Sequence, residues 1–250
     1  MRHCIKNGNL LEPFLGSGAV FFAINPNNAT VSDINSELIR LFVVMRDNPQ
    51  ELKERMIVHN KLHNEEYYYK MRLAQPYDPI DQAARFLYLN RTCYNGMYRV
   101  NKSGQFNVPI GTKTNCIYDL DLFDYYSKLL KSAKILTSDF GPVIHAAEEN
   151  DLIFADPPYT IKKNTMSFIK YNEKLFTWND QVRLHADLLS AKQNGAKIIH
   201  TNINCDEIRE MYASSGFYIS ELSRHSCISG QTSGRNIVTE LLITSFPQQK

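Results

Sequence analysis

Four consecutive residues have the chemistry to activate an amine, and they follow an apolar run at residues 152–155: Asp156, Pro157, Pro158 and Tyr159. The apolar run predicts a buried strand, and ligands of open α/β sheets bind at the carboxyl ends of strands. Two consecutive prolines fix both φ angles and remove two amide donors, so the direction of the Pro157 carbonyl is held.

These groups suit methyl transfer to the exocyclic amine of adenine. The N6 lone pair is delocalised into the ring, so it must be localised before it attacks a sulfonium methyl group. The Asp156 carboxylate and the Pro157 carbonyl can accept the two N–H hydrogens, while Tyr159 offers a face on which an extruded base can stack. The alternative is a strand end that the prolines merely turn.

The segment from Glu12 to Gly18 is a second candidate site, with the sequence EPFLGSG. Gly16 and Gly18 allow a tight turn after a strand and a close approach of a nucleotide-type cofactor to the backbone. A plain strand-to-helix turn would also use glycine. Asp33 ends the next predicted strand, at the distance where Rossmann-like folds bind a ribose hydroxyl pair, and its alternative role is to cap the following helix.

Alternating strands and helices position these residues. Strands are predicted at residues 9–14, 30–33, 135–138, 152–155 and 196–201, and helices from residue 19, at 35–45 and at 180–194. This alternation implies a parallel, doubly wound sheet. The β-rich runs at 217–224 and 237–245 predict a final antiparallel pair with a mobile connection at 226–236. The tyrosines at 67–69 and Trp178 are interpreted as packing residues.

Residues 49–131 are predicted to form an insertion between the two parts of a main domain, residues 1–48 and 132–250. Residues 82–118 contain no acid and five basic residues: Arg85, Arg91, Arg99, Lys102 and Lys113. This patch favours nucleic acid binding, since an arginine can donate two hydrogen bonds to a guanine edge and Met97 can meet a thymine methyl. A solvated basic loop is the alternative. Two further acid-free basic runs, 160–172 and 222–239, would either contact phosphates or remain solvated.

The composition excludes several functional classes. The formal net charge is only +2 over 250 residues, so affinity for a polyanion must come from local charge. Five cysteines show no spacing typical of a zinc site. No apolar run approaches the roughly 18 residues that a membrane span needs. We therefore expect reduced thiols, no metal and a cytoplasmic protein.

The glycine turn, the basic insertion and the DPPY loop, in this order, resemble the Dam-type DNA adenine methyltransferases of the alpha class over nearly the whole chain. The resemblance implies an α/β, Rossmann-like methyltransferase fold, with a mixed sheet and an inserted, mostly helical target-recognition domain that carries a β-hairpin. It also implies S-adenosylmethionine as cofactor, no metal, and double-stranded DNA as partner, with GATC as the usual target. The protein is expected to be a monomer.

The resemblance further implies roles for individual residues. Residues 137–140 resemble the family's adenine-contacting segment, and residues 90–99 with 106–109 resemble its DNA-reading hairpin. The implied cofactor-binding residues are Glu12, Pro13, Phe14, Gly16, Ser17, Gly18, Asp33, Asp139, Phe140 and Asp156. The implied DNA-binding residues are Arg91, Tyr94, Asn95, Met97, Arg99, Asn107 and Pro109, with Tyr94 and Asn95 near the space left by the flipped base.

One departure from the family leaves alternatives open. The family usually opens with a lysine-, tryptophan- and glycine-rich segment that packs on the cofactor, and residues 1–11 lack that pattern. A catalytically silent, DNA-binding relative with lost cofactor affinity is therefore an alternative. Action on RNA adenine or on an amide nitrogen is disfavoured by the hairpin match and by Asp156. Because the DPPY loop contains no cysteine and N6 itself attacks, transfer is expected to be direct.

Overall fold

The computed structural model describes residues 8–101, 103–117, 122–160, 176–225 and 237–247. Its strands are β1 Leu10–Glu12, β2 Ala29–Asp33, β3 Ala133–Thr137, β4 Leu152–Ala155, β5 Lys197–Ile203, β6 Tyr218–His225 and β7 Ile237–Thr244. Its α-helices are α1 Ala19–Ile24, α2 Ser36–Asp47, α3 Pro49–Leu62, α4 Glu65–Leu73, α5 Pro79–Thr92, α6 Leu122–Leu130, α7 Phe140–His145, α8 Trp178–Gln193 and α9 Asp206–Ala213. None of the helices in these ranges is long and apolar enough to cross a bilayer.

The described strands form one seven-stranded sheet with the order β3-β2-β1-β4-β5-β7-β6. β1 is parallel to both β2 and β4, and β4 is parallel to β5. β7 is antiparallel to β5 and to β6. The predicted parallel sheet with a final antiparallel pair is thus confirmed, while the predicted mobile connection at 226–236 lies outside the described residues. The strand order reverses between β1 and β4, which is where open α/β sheets bind ligands.

The chain divides into two compact units, one with residues 1–34 and 136–250 and the other with residues 35–135. The second unit is longer than the expected insertion, residues 49–131. The difference lies mainly in α2, which packs on α5 and α6. A helix that follows a strand normally belongs to the β-α unit that the strand starts. Tertiary packing, which sequence periodicity does not report, places α2 with the helices that follow it.

Buried strands form the core of the first unit. β4 is buried along its whole length, as expected for a central parallel strand that is covered on both faces. Leu184 of α8 packs in the same core as Ile153. α8 begins at Trp178, two residues before the predicted start, because Thr177 and Asp180 form a capping box that satisfies its first amides.

The second unit is mostly helical and has tyrosines at its centre. Tyr68 and Tyr88 are fully buried, and the Tyr68 hydroxyl donates a hydrogen bond to the Val108 carbonyl at 2.9 Å. A buried phenol needs such a partner to offset the loss of water. The interpretation of residues 67–69 as packing residues is confirmed for Tyr68, and that of Trp178 is confirmed by its packing in the first unit.

The buried face of α8 should carry much of the stability of the first unit. We expect Leu184→Ala to lower the free energy of unfolding by about 2 to 5 kcal/mol, because it removes a fully buried side chain and leaves a cavity. Val182→Ala, two residues earlier at a position that is 46% exposed, should change it by less than about 0.5 kcal/mol. Urea unfolding followed by circular dichroism measures both, and similar losses for the two variants would contradict this packing.

Candidate functional site

Three acids lie at one edge of the sheet in the first unit. Glu12 is the last residue of β1, Asp33 is the last residue of β2, and Asp156 follows β4 directly. The three strands are parallel neighbours, so their carboxyl ends share an edge. Glu12 and Asp156 flank the point where the strand order reverses. The structure thus brings the predicted glycine turn, the ribose acid and the catalytic loop to one edge.

The glycine turn is fastened to the end of β2. The Leu15 amide donates to the Ser32 carbonyl at 2.8 Å, and the Gly16 amide donates to Asp33 Oδ2 at 3.1 Å. Gly16 and Gly18 have φ values of 49° and 70°, in the left-handed region that favours glycine. A Cβ built at Gly16 would meet no atom within 4 Å, so the turn has open space beside it.

Asp33 does not cap the helix that follows it. The N-cap of α2 is Asn35, whose Oδ1 accepts hydrogen bonds from the Glu37 and Leu38 amides. The alternative role of Asp33 as a helix cap is therefore wrong. Its carboxylate is directed to the glycine turn instead, and binding of a ribose hydroxyl pair stays a prediction.

Glu12 is a buried acid in this otherwise accessible edge. Its side chain is only 2% exposed, and Oε2 has no hydrogen-bond partner among the described residues. Burial raises the pKa of Glu12 to about 8, the amide of Phe21 lowers it, and the negative charge of Asp156 raises it further. The Glu12 carboxyl is therefore mainly neutral at pH 7.

Asp156 is exposed and is oriented by two hydroxyl groups. Its Oδ1 accepts a hydrogen bond from Thr201 Oγ1 at 2.6 Å and one from the Tyr159 hydroxyl at 3.4 Å. Ala155 pairs with His200 in the β4–β5 register, which puts Asp156 next to Thr201. The described contacts use Oδ1 alone, so a ligand amine can approach Oδ2. Pro157 is buried, and Pro158 and Tyr159 are partly buried.

A buried polar chain holds the backbone just before Asp156. His200 Nδ1 lies 2.9 Å from the Ala155 carbonyl oxygen, and its Nε2 lies 3.1 Å from Asn202 Nδ2. Asn202 Nδ2 also donates to Gln181 Oε1 at 3.0 Å. A carbonyl only accepts, so Nδ1 carries the proton and Nε2 accepts. Burial lowers the pKa of His200 to about 4, which keeps the ring neutral.

Sequence reasoning missed this chain of polar residues. Part of its signal was present, because His200 is a polar residue in the predicted strand 196–201, and Asn202, one residue beyond that strand, shares its face in β5. A buried polar side chain on a central strand needs a hydrogen-bond partner, so such a position is a candidate for a residue that holds a nearby site in place. His200 contacts the Ala155 carbonyl just before the catalytic loop, and Asn202 and Gln181 act through His200, so we regard the three as positioning residues.

The predicted adenine-contacting pair, Asp139 and Phe140, is covered by Arg183. The Arg183 guanidinium donates to Asp139 Oδ1 and Oδ2 at 2.6 and 2.9 Å, and its centre lies 3.9 Å from the Phe140 ring centroid. This pairing holds the pKa of Asp139 below its usual range. The Phe140 ring also packs against Phe14 and Phe176, at centroid distances of 5.3 and 5.8 Å. Their cofactor role stays a prediction, and Arg183 is a neighbour that sequence patterns did not reveal.

The second unit contains the predicted DNA-reading hairpin, residues 90–99 with 106–109, and the stretch 90–110 is here called the recognition segment. It is an irregular hairpin, with isolated bridges between Cys93 and Ile110 and between Val100 and Phe106 instead of a continuous ladder. A short 3₁₀ turn occupies Tyr94–Gly96. Within this turn Asn95 has a φ of 54°, a conformation that asparagine tolerates better than most residues.

Four of the predicted DNA-binding residues lie exposed on the recognition segment: Tyr94, Asn95, Arg99 and Pro109. The Tyr94 amide donates to the Pro109 carbonyl at 2.9 Å, which holds the two sides of the hairpin together. Arg99 donates from Nε to Asn107 Oδ1 at 2.8 Å and from one terminal nitrogen to the Asn107 carbonyl at 3.1 Å. Asn107 thus fixes the guanidinium of Arg99 through Nε and Nη2, and these two bonds do not use Nη1.

The predicted basic patch is smaller than the sequence indicated. The Arg85 side chain is only 12% exposed, and it donates to the carbonyls of Met71 and Arg72 at 2.8 Å. Its prediction as part of a surface patch is wrong, because it satisfies buried carbonyl groups. Arg91 and Met97 are half-buried, and Met97 packs against the core of the second unit. Other basic residues of the predicted patch and of the two predicted basic runs have side chains outside the described residues: Lys102, Lys162, Lys163, Lys170, Arg224 and Arg235.

Comparison with known proteins places this geometry in a family context. A model of the D12 class of N6 adenine-specific DNA methyltransferases matches residues 2–226. The Type II methyltransferase M1.LlaDCHI of Lactococcus lactis subsp. cremoris is 34% identical over 250 residues, covering 96% of this chain and 87% of the relative. The DNA N-6-adenine-methyltransferase of Escherichia phage P1 is 33% identical, covering 96% and 32%. A DNA adenine methylase of Vibrio cholerae is 30% identical, covering 98% and 90%.

The neutral His200 predicts a pH-dependent stability. Its folded pKa is lowered to about 4 from 6.5, so the unfolded chain binds a proton first as pH falls, and stability is lost between about pH 6.5 and 4. We expect His200→Gln to reduce this slope by up to about 1.4 kcal/mol per pH unit. Urea unfolding from pH 8 to 4.5 measures it; above pH 7 the two slopes should agree, and identical slopes below pH 6 would contradict the neutral assignment.

Proposed function

Since the chain belongs to the D12 class of N6 adenine-specific DNA methyltransferases, we propose that it methylates adenine N6 within GATC sites of duplex DNA, with S-adenosylmethionine as methyl donor. The enzyme is an adenine-specific DNA methyltransferase by family membership. The observation that carries the proposed chemistry is the exposed Asp156 carboxylate, held at 2.6 Å by Thr201 at the point where the strand order reverses.

The residues at this edge fit the proposed cofactor. The open turn at Gly16 leaves space beside the backbone, and Asp33 adjoins it with acceptors for ribose hydroxyl groups. Glu12 adds a buried carboxyl with an unpartnered oxygen. When bound, S-adenosylmethionine supplies a methyl group made electrophilic by a positive sulfur. The chain's own contribution is to hold the donor and the target amine in line.

Asp156 is proposed to accept one N6 hydrogen of the flipped adenine, and the Pro157 carbonyl the other. Both acceptors draw the nitrogen lone pair out of conjugation with the ring, which raises its nucleophilicity. Thr201 fixes the Asp156 carboxylate, and the His200 hydrogen bond fixes the Ala155 carbonyl, one residue before Asp156. Acceptors that are already oriented need no reorganisation during the reaction, and this preorganisation supports a catalytic role. Transfer is direct, since N6 itself attacks the methyl carbon.

The recognition segment is proposed to read the target sequence. Arg99 is exposed, and its bonds to Asn107 leave Nη1 available for guanine O6 and N7 in the major groove. Tyr94 and Asn95 sit on an exposed turn, where they can fill the space that a flipped base leaves. The resemblance of this segment to the Dam-type hairpin supports GATC as the site.

The direct test uses labelled S-adenosylmethionine and two matched duplexes that differ only in a GATC site, followed by nucleoside analysis. N6-methyladenine confined to the GATC duplex would confirm chemistry, substrate and site together. N6-methyladenine in both duplexes would overturn the proposed site while leaving the reaction intact. Retained DNA binding without product would instead favour a catalytically silent DNA-binding protein.

Asp156 should be required for transfer and dispensable for DNA binding. We expect Asp156→Ala to lower kcat by more than about 100-fold, because an acceptor that acts in the transition state is lost. Thr201→Val, which removes only the 2.6 Å bond to Oδ1, should lower kcat by about tenfold. Single-turnover kinetics and gel-shift binding separate the two effects. Normal turnover of Asp156→Ala would remove this residue from the mechanism.

Arg99 should determine sequence preference. Arg99→Ala is expected to reduce discrimination between GATC and its single-base variants by about 1 to 3 kcal/mol, since one bidentate base contact is lost. Asn107→Ala should have a smaller effect in the same direction, because Arg99 remains but loses its orientation. Competition binding with a set of single-base variants measures both. An unchanged preference in Arg99→Ala would exclude the arginine from base recognition.

A further inference from the structure

A negative charge on Glu12 would be buried next to another acid. Asp33 ends the neighbouring strand β2, and Asp156 follows β4 on the other side. The Phe21 amide of α1 reaches the Glu12 carboxyl, and α1, with the sequence AVFFAI, contains no ionisable residue. A carboxylate in this setting is buried, has one neutral donor and lies near the negative charge of Asp156. Its protonated form is therefore the stable one in the free protein.

The cations near this edge already have acidic partners. α7 contacts β1, and the Asp139 that caps α7 is paired with Arg183. His145 at the end of α7 is paired with an acid of α8. His200 of β5 is neutral because burial lowers its pKa. Among the described residues of these elements, none brings an uncommitted positive charge to Glu12.

We propose that the Glu12 carboxyl is protonated in the free enzyme and releases its proton when the sulfonium donor binds. The inference rests on the proposed function, in which the reacting methyl lies beside the amine that Asp156 holds. A positive charge at that place can act on Glu12, because Glu12 ends β1 at the same edge where Asp156 follows the neighbouring strand β4. The O–H bond of Glu12 breaks, the proton passes to the solvent buffer, and the carboxylate compensates the sulfonium.

Glu12 thereby distinguishes donor from product by charge. Methyl transfer leaves S-adenosylhomocysteine, which has a neutral thioether in place of the sulfonium. Glu12 then loses the cation that stabilised its carboxylate and regains a proton from solvent. The product is held without the attraction that strengthened binding of the donor, although the two molecules differ by a single methyl group. Exchange of product for fresh donor is favoured as a result.

The experiment is isothermal titration calorimetry of the full chain with S-adenosylmethionine and, separately, S-adenosylhomocysteine at pH 7. Repetition in buffers of different ionisation enthalpy gives the number of protons released per ligand bound. Because the pKa of Glu12 is about 8, roughly nine-tenths of these carboxyls are protonated at pH 7. The donor should release close to one proton more than the product. Both ligands carry the same amino acid group, so its protons cancel in the difference.

Glu12→Gln is the decisive variant, because it keeps the size and neutrality of the protonated side chain but cannot titrate. In the wild type, the ratio of donor affinity to product affinity should rise nearly tenfold per pH unit below pH 8 and then level off. In Glu12→Gln the ratio should not depend on pH. Glu210→Gln makes the same change at an exposed position of α9 and should behave as wild type.

Each outcome decides the proposal. Equal proton release for both ligands, or a difference that persists in Glu12→Gln, overturns it. A difference lost in Asp156→Asn but kept in Glu12→Gln assigns the proton to Asp156 and also overturns it. If Glu12→Gln does not fold, the wild-type comparison and Asp156→Asn decide alone. Absence of any S-adenosylmethionine binding overturns the proposed cofactor and this inference together, whereas binding without differing proton release overturns this inference only.

Discussion

The parallel pairing of β1 with β4 is the constraint on which the site depends. Main-chain hydrogen bonds set Leu10 beside Leu152 and Leu11 beside Ile153, so both strands end at the same edge. Glu12 and Asp156 emerge there as neighbours, and a register shift of one residue would turn every side chain of a strand to the opposite face. Burial is the main reason that the pKa of Glu12 is raised, the negative charge of Asp156 adds to it, and Glu12 is therefore kept neutral.

Buried polar groups next to the site hold the backbone and the side chain of the catalytic acid in place. His200, Asn202 and Gln181 are fully buried, so each hydrogen bond among them would be costly to leave unmade. The chain ends on the Ala155 carbonyl, one residue before Asp156, and Thr201 fixes the carboxylate from the adjacent position. A rigid backbone and an oriented acid are what electrostatic preorganisation needs. Because the same burial lowers the pKa of His200, the folded state loses stability as the pH falls.

Local patterns predicted backbone elements better than side-chain partners. The strand Leu152–Ala155 was predicted to the residue, because an apolar run reports the burial of its own side chains. The pairing of Asp139 with Arg183 could not be read in this way, since 44 residues separate the two and only the fold brings them together. Arg85 was misplaced for a related reason: a charge count treats every arginine as solvated, whereas this one binds main-chain carbonyl groups.

The unit formed by residues 35–135 is inserted into the chain between the end of β2 and the middle of β3. Asp33, the glycine turn and Asp156 all lie outside this stretch. Under the proposed function, a gene can therefore exchange the whole stretch by recombination at two points and keep the codons for catalysis intact. Selection for a new DNA target and selection for turnover then act on separate segments of one gene, and a lineage can diversify its targets while its chemistry stays fixed.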